Sequence, residues 1–152
     1  MGAFIISSHF GGENVELKRI IRKYQSDKCN LENLKGALNQ CEQAKPKASI
    51  YGKTVKGGPK VTSTDYLVKR LDKKKELLAQ IEEIEYRIFT IENILNTIRS
   101  SDTRGYKAFT MRHLENRSFV TIADALNISH YATKTLIFKM EELFTALYEL
   151  CL

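Results

Sequence analysis

Ser118-Phe119-Val120-Thr121-Ile122-Ala123-Asp124-Ala125-Leu126-Asn127-Ile128-Ser129-His130-Tyr131-Ala132 reads as a short helix, a tight turn and the start of a second helix. Ser118 suits an N-cap, because its hydroxyl accepts a hydrogen bond from an unpaired amide of the first turn. Ile122, Ala123 and Leu126 recur at helical spacing and share one face. Ala123 provides the small side chain that a close crossing of two helices needs. Asn127 tolerates the left-handed backbone that ends a helix. Ile128 then fills the angle between the helices, and Ser129 caps the second. Cap, helix, left-handed turn, apolar plug and cap in this order spell a helix-turn-helix, whose second helix can enter a DNA major groove.

Outward from this corner, Arg112-His113-Leu114-Glu115-Asn116-Arg117-Ser118 precedes it, and Ile122-Ala123 and Leu126-Asn127-Ile128-Ser129 lie within it. Together they resemble the DNA-binding region 4 of sigma factors, which runs Arg-Tyr-x-Glu-Gly-Leu-Ser, then Ile-Ala, then Leu-Gly-Ile-Ser. A short chain ending in this module behind long charged helices is similar to phage-encoded late-gene transcription activators of the RinA and ArpU type. The resemblance covers roughly the last third of the chain. Asn116 and Asn127 stand where Gly is usual, Arg117 replaces an apolar residue, and Thr133 replaces Val or Ile. The resemblance implies binding to double-stranded promoter DNA and contact with RNA polymerase.

Recognition helices contact base edges from their N-terminal residues. Here those are His130, Tyr131, Thr133, Lys134 and Thr135. Lys134 can donate to guanine acceptors, while Tyr131 and Thr133 can meet a thymine methyl. Arg112, Arg117, Ser118 and Lys139 are expected on phosphates. Residues 104–139 carry six basic residues against Glu115 and Asp124, whereas Glu141, Glu142 and Glu149 follow. The last helix is expected from about Ser129 toward Leu150, with Leu136, Met140, Leu143, Leu147 and Leu150 on its packing face.

The strongest periodic signal lies upstream. Leu77, Ile81, Ile84, Ile88, Ile91, Leu95 and Ile98 alternate by four and three, and Leu67 and Leu71 extend the row less regularly. A helix over 65–100 would be roughly 50 Å long, and its apolar seam must be covered. It either folds back on the N-terminal helices as an antiparallel hairpin or pairs with a second chain as a homodimer. Lys73-Lys74-Lys75 against Glu82, Glu83 and Glu85 gives it ends of opposite charge. Ser100 to Gly105 reads as a hinge.

Residues 1–44 form an N-terminal arm followed by helix. Leu17, Tyr24, Leu31 and Leu38 make one heptad row, with Ile20, Leu34 and Cys41 in the second and Asp27 as its polar interruption. One unbroken rod, or two helices meeting near Ser26 to Asn30, both fit. Residues 45–64 are irregular, with Pro46, Gly57, Gly58 and Pro59. Their five lysines meet no acid, so this loop carries nearly all of the chain's formal net charge of +6. Lys53, Lys56 and Lys60 are expected to touch phosphates from it, adding salt-dependent affinity; a plain solvated linker is the alternative.

At 152 residues the chain suits one or two small domains. Its three cysteines show no C-x-x-C spacing. That points to a reducing, cytoplasmic setting and away from a disulfide or zinc scaffold. No apolar run reaches membrane-span length, and no basic flank marks a signal peptide. Catalytic residues, a metal site and a cofactor are not expected: there is no His-x-x-x-His pair, serine elbow or Gly-rich dinucleotide loop. The expected fold is all-α: a long N-terminal helical hairpin or coiled coil joined to a three- or four-helix C-terminal module (101–152). The expected function is a sequence-specific transcription regulator. The alternative is a phage assembly or DNA-packaging protein resembling a small terminase subunit, with the same corner on DNA and its coiled helices assembling into rings.

Overall fold

The computed structural model describes residues 15–43 and 63–152. Within them the chain is all-helical, in the order α1 (Val15–Gln43), α2 (Ser63–Ser101), α3 (Thr103–His113), α4 (Phe119–Leu126) and α5 (His130–Leu150). No helix among these residues is long and apolar enough to cross a membrane. The expected phosphate contacts Lys53, Lys56 and Lys60 lie outside the described residues.

The chain divides into two compact units, and the division falls inside α1 and α2. In one, residues 27–43 pair with 63–86. Lys35 Nζ lies 3.5 Å from Glu85 and Lys74 Nζ lies 3.2 Å from Glu42, so the two segments run antiparallel. Arg70 donates to the carbonyls of Cys41 and Glu42 at 2.8 and 2.7 Å. These are among the last carbonyls of α1, which lack partners within the helix and favour a cation. Leu77, Ile81 and Ile84 are buried, as their spacing predicts. Leu67 and Leu71 are exposed and do not extend that row. Asp27 is buried on the α1 seam.

Through Ser26 to Asn30 α1 is unbroken. Gly36 lies on its outer surface, and a Cβ built there would meet no atom within 4 Å. Only the entropic cost of a helical glycine remains. Gly36→Ala is therefore expected to stabilise the protein by about 0.5–1 kcal/mol. Urea unfolding would show it as a higher midpoint at unchanged slope.

The other unit holds residues 15–26 and 87–152 of the described chain. Ile88, Ile91, Leu95 and Ile98 are buried, completing the predicted isoleucine row, and Ile94 joins them. On α1, Leu17, Ile21 and Tyr24 are buried, while Ile20 is only half-buried. A strict seven-residue row favours Ile20; here the α1 face includes the neighbouring Ile21. The Tyr24 hydroxyl donates to Glu92 at 3.2 Å. Burial, and the carboxylate of Glu92 beside it, push this phenol up to about 12.

Asp102 alone separates α2 from α3, in place of the six-residue hinge that Ser100 to Gly105 predicts. Its backbone is extended, and its carboxylate accepts from the Gly105 amide at 2.9 Å. Gly105 sits in the first turn of α3, where a Cβ would come within 2.5 Å of Met140 Sδ. The missing side chain is what lets α3 and α5 touch. Phe109, Phe144, Met140 and Ile137 fill the space between α3 and α5, with Ala108 and Ile122 adjoining. The core row of α5 is thus Thr133, Ile137, Met140 and Phe144. Of the predicted row only Met140 is buried: Leu136, Leu143 and Leu147 are half-buried and Leu150 is exposed. Both rows repeat by four and three, and the close approach at Gly105 turns Met140, Ile137 and Phe144 inward.

Candidate nucleic-acid interface

The corner between α4 and α5 is built by local hydrogen bonds that the sequence encodes. Ser118 is extended (φ −73°, ψ 158°) and its Oγ accepts from the Thr121 amide at 3.2 Å. Asn127 adopts the left-handed conformation (φ 56°, ψ 48°). That bend lets Ile128 N–H donate to Ala123 O at 3.1 Å and Asn127 N–H donate to Asp124 O at 3.3 Å. These two bonds form a Schellman closure, which satisfies carbonyls at the end of α4 and turns the chain sharply. Ser129 (φ −70°, ψ 160°) then caps α5, its Oγ accepting from the Ala132 amide at 3.0 Å.

Ala108, Ile122 and Ile137 form a buried cluster beneath the corner, with Met111, Phe119, Leu126 and Leu136 packed against it. This packing fixes which residues of α5 face outward. His130, Lys134 and Thr135 are exposed, and Tyr131 is 75 % exposed. They share one face because they recur at i, i+1, i+4 and i+5. Thr133 is a correction. It is 0 % exposed, and its hydroxyl donates to Ser129 O at 2.9 Å. A hydroxyl so buried and bonded has no surface to offer a base, so Thr133 leaves the set of base-edge candidates. It fills the slot that the resemblance gives to Val or Ile.

Phe119 gathers the basic groups. The Arg112 guanidinium lies 4.1 Å from its ring centroid and Lys134 Nζ lies 5.5 Å away. The His130 ring meets it edge-on at 6.0 Å. Cations are attracted to the negative face of such a ring. Basic groups of α3 and α5 therefore converge at the leading ends of α4 and α5.

No family model, no curated protein and no solved structure matches the chain.

Other predicted phosphate contacts are distributed around the same module. Arg112 also donates to Arg117 O at 3.2 Å. Arg117 is turned toward Glu115, 2.8 Å away, in a pair about half exposed on both sides. Such a pair contributes at most about 1 kcal/mol and yields readily to a phosphate. Ser118 and Lys139 are exposed.

Sequence reasoning did not single out Lys18, Arg22 and Gln25 of α1. They line an open cleft of about 410 Å³ with Ile21, Arg112, His113 and Asn116. Among the described residues no carboxylate lines it. Gln25 Nε2 donates to Leu114 O at 3.3 Å, tying α1 to the end of α3. His113 is held by Glu141 at 2.6 Å. Asn116 is left-handed (φ 56°), which carries the chain from α3 toward α4. Lys18 and Arg22, four residues apart on one helical face, were the available signal; only the fold places them beside Arg112. Among the described residues no group of three or more His, Cys, Asp or Glu is placed to hold a metal ion.

Proposed function

We propose that the chain is a sequence-specific DNA-binding transcription regulator whose α5 enters the major groove from its leading turn. The observation that carries this reading is the pairing of a Schellman turn at Asn127 with an exposed His130, Tyr131, Lys134 and Thr135 just beyond it. The basic groups around Phe119 and along the Lys18–Arg22–Arg112 cleft support it, because phosphate contacts fix register while base contacts carry specificity. The likeness of Arg112–Ser118 and Ile122–Ser129 to sigma factor region 4 is a resemblance of sequence. On that likeness we group the protein with cytoplasmic activators of phage late genes of the RinA and ArpU type, acting at promoter DNA with RNA polymerase as a second partner.

Selection from a random duplex library tests this directly. A defined motif is expected to be enriched, and no enrichment would end the proposal. Lys134→Ala is expected to relax preference at one position, by about 1–3 kcal/mol for a direct base contact. Thr133→Val, which changes only a buried hydroxyl, is expected to leave the motif unchanged. Equal motifs from wild type and Lys134→Ala would remove Lys134 from the readout.

A further inference from the structure

Among the described residues, one face of α2 is exposed in the unit that holds residues 63–86. Leu71, Lys75, Leu78, Glu82 and Tyr86 recur by four, three, four and four, so they form a single stripe. It is turned about 130° from the buried row of Leu77, Ile81 and Ile84. Leu71 is 57 % exposed, Leu78 45 % and Tyr86 68 %. Lys75 and Glu82 are exposed as well. In the same unit, Leu31, Leu34, Leu38 and Cys41 of α1 are only half-buried. Two helices side by side leave an open flank, and a four-helix arrangement is the usual way to close it.

We infer that this stripe is the interface of a homodimer in which two copies of α2 cross antiparallel at Leu78. The charge order selects that occupant. With Leu78 against the partner's Ala79, Lys75 falls opposite the partner's Glu82, and Leu71 falls opposite the partner's Tyr86. The twofold axis repeats each of these, so the interface holds two unlike-charge pairs flanked by two apolar ones. A stripe that is self-complementary under a twofold rotation is what an isologous interface requires. A parallel pair would set Lys75 against Lys75 and Glu82 against Glu82. A nucleic acid is disfavoured as the occupant, because Glu82 lies within the stripe. The inference is independent of the DNA reading, since it uses none of the residues near α5.

Sedimentation equilibrium of the full chain is the test. A dimer is expected in the micromolar range. Lys75→Glu should weaken it about ten-fold or more, because each dimer then sets like charges together twice. Glu82→Lys should do the same. The double variant, Lys75→Glu with Glu82→Lys, should restore the wild-type dissociation constant. Both positions are exposed, and unchanged helical circular dichroism would show that the fold persists. A wild-type monomer, a ring of many copies, or a double variant no tighter than the single ones would each overturn the inference; a ring would also favour a DNA-packaging role.

Discussion

Phe109→Ala is expected to lower the unfolding free energy by about 3–5 kcal/mol. The ring is fully buried. It stacks on Phe144 at 5.4 Å between centroids and 20° between planes, and meets the His113 ring at 4.7 Å. The truncation removes apolar area from the core and also leaves a hole. How much the hole costs depends on whether its walls can collapse. Here they have little room to do so. A Cβ at Gly105 would already lie 2.5 Å from Met140 Sδ, so α3 and α5 are as close as backbone and side chain permit. Small domains are stable by only about 5–15 kcal/mol in total, so this one change consumes a large share. Urea unfolding of the full chain measures it. A reduction below about 0.5 kcal/mol, the range of surface changes, would mean that Phe109 is not at the centre of the module.

On the proposed DNA-binding role, Arg112→Glu is expected to reduce affinity for the selected duplex by roughly ten- to a hundred-fold at moderate salt, with the largest deficit at low salt. Arg112 belongs both to the ring of basic groups around Phe119 and to the cleft with Lys18 and Arg22. Reversing its charge therefore disturbs two basic surfaces at once. The plot of log affinity against log salt should become shallower by about 0.9 for each phosphate that the protein no longer neutralises. Fluorescence anisotropy across a salt series reads both quantities. An unchanged slope would remove Arg112 from the phosphate-binding set. A parallel melt would separate this from the structural part of the side chain, its bond to Arg117 O.

The elements legible in the sequence were those whose cause is local. Ser118, Asn127 and Ser129 act through their own backbone neighbourhood, and each adopts the cap or turn its chemistry favours. The row from Leu77 to Ile98 repeats often enough to fix one buried face, and all seven members are buried. What could not be read there depends on which partner a face meets. α5 carries two apolar rows with the same spacing that share Met140, and only the packing against α3 selects Ile137 and Phe144 over Leu136, Leu143 and Leu147. Thr133 was placed among the base-edge residues because it lies in the leading turns of the second helix, yet its position four residues before Ile137 puts it inside. Ile21 displaced Ile20 on α1 for the same reason. Lys18 and Arg22 lie some ninety positions from Arg112, so no local pattern could join them.

The single residue between α2 and α3 bears on how this protein can be dissected. Asp102 caps one helix directly after the other ends, and Leu17, Ile21 and Tyr24 are buried in the same unit as the corner. The corner is therefore not a cassette that can be cut out at residue 101 and grafted elsewhere. Trimmed there, it would lose the amino-terminal turns of α1 and the last turns of α2, which carry the buried Leu17, Ile21, Tyr24, Leu95 and Ile98 of the same unit.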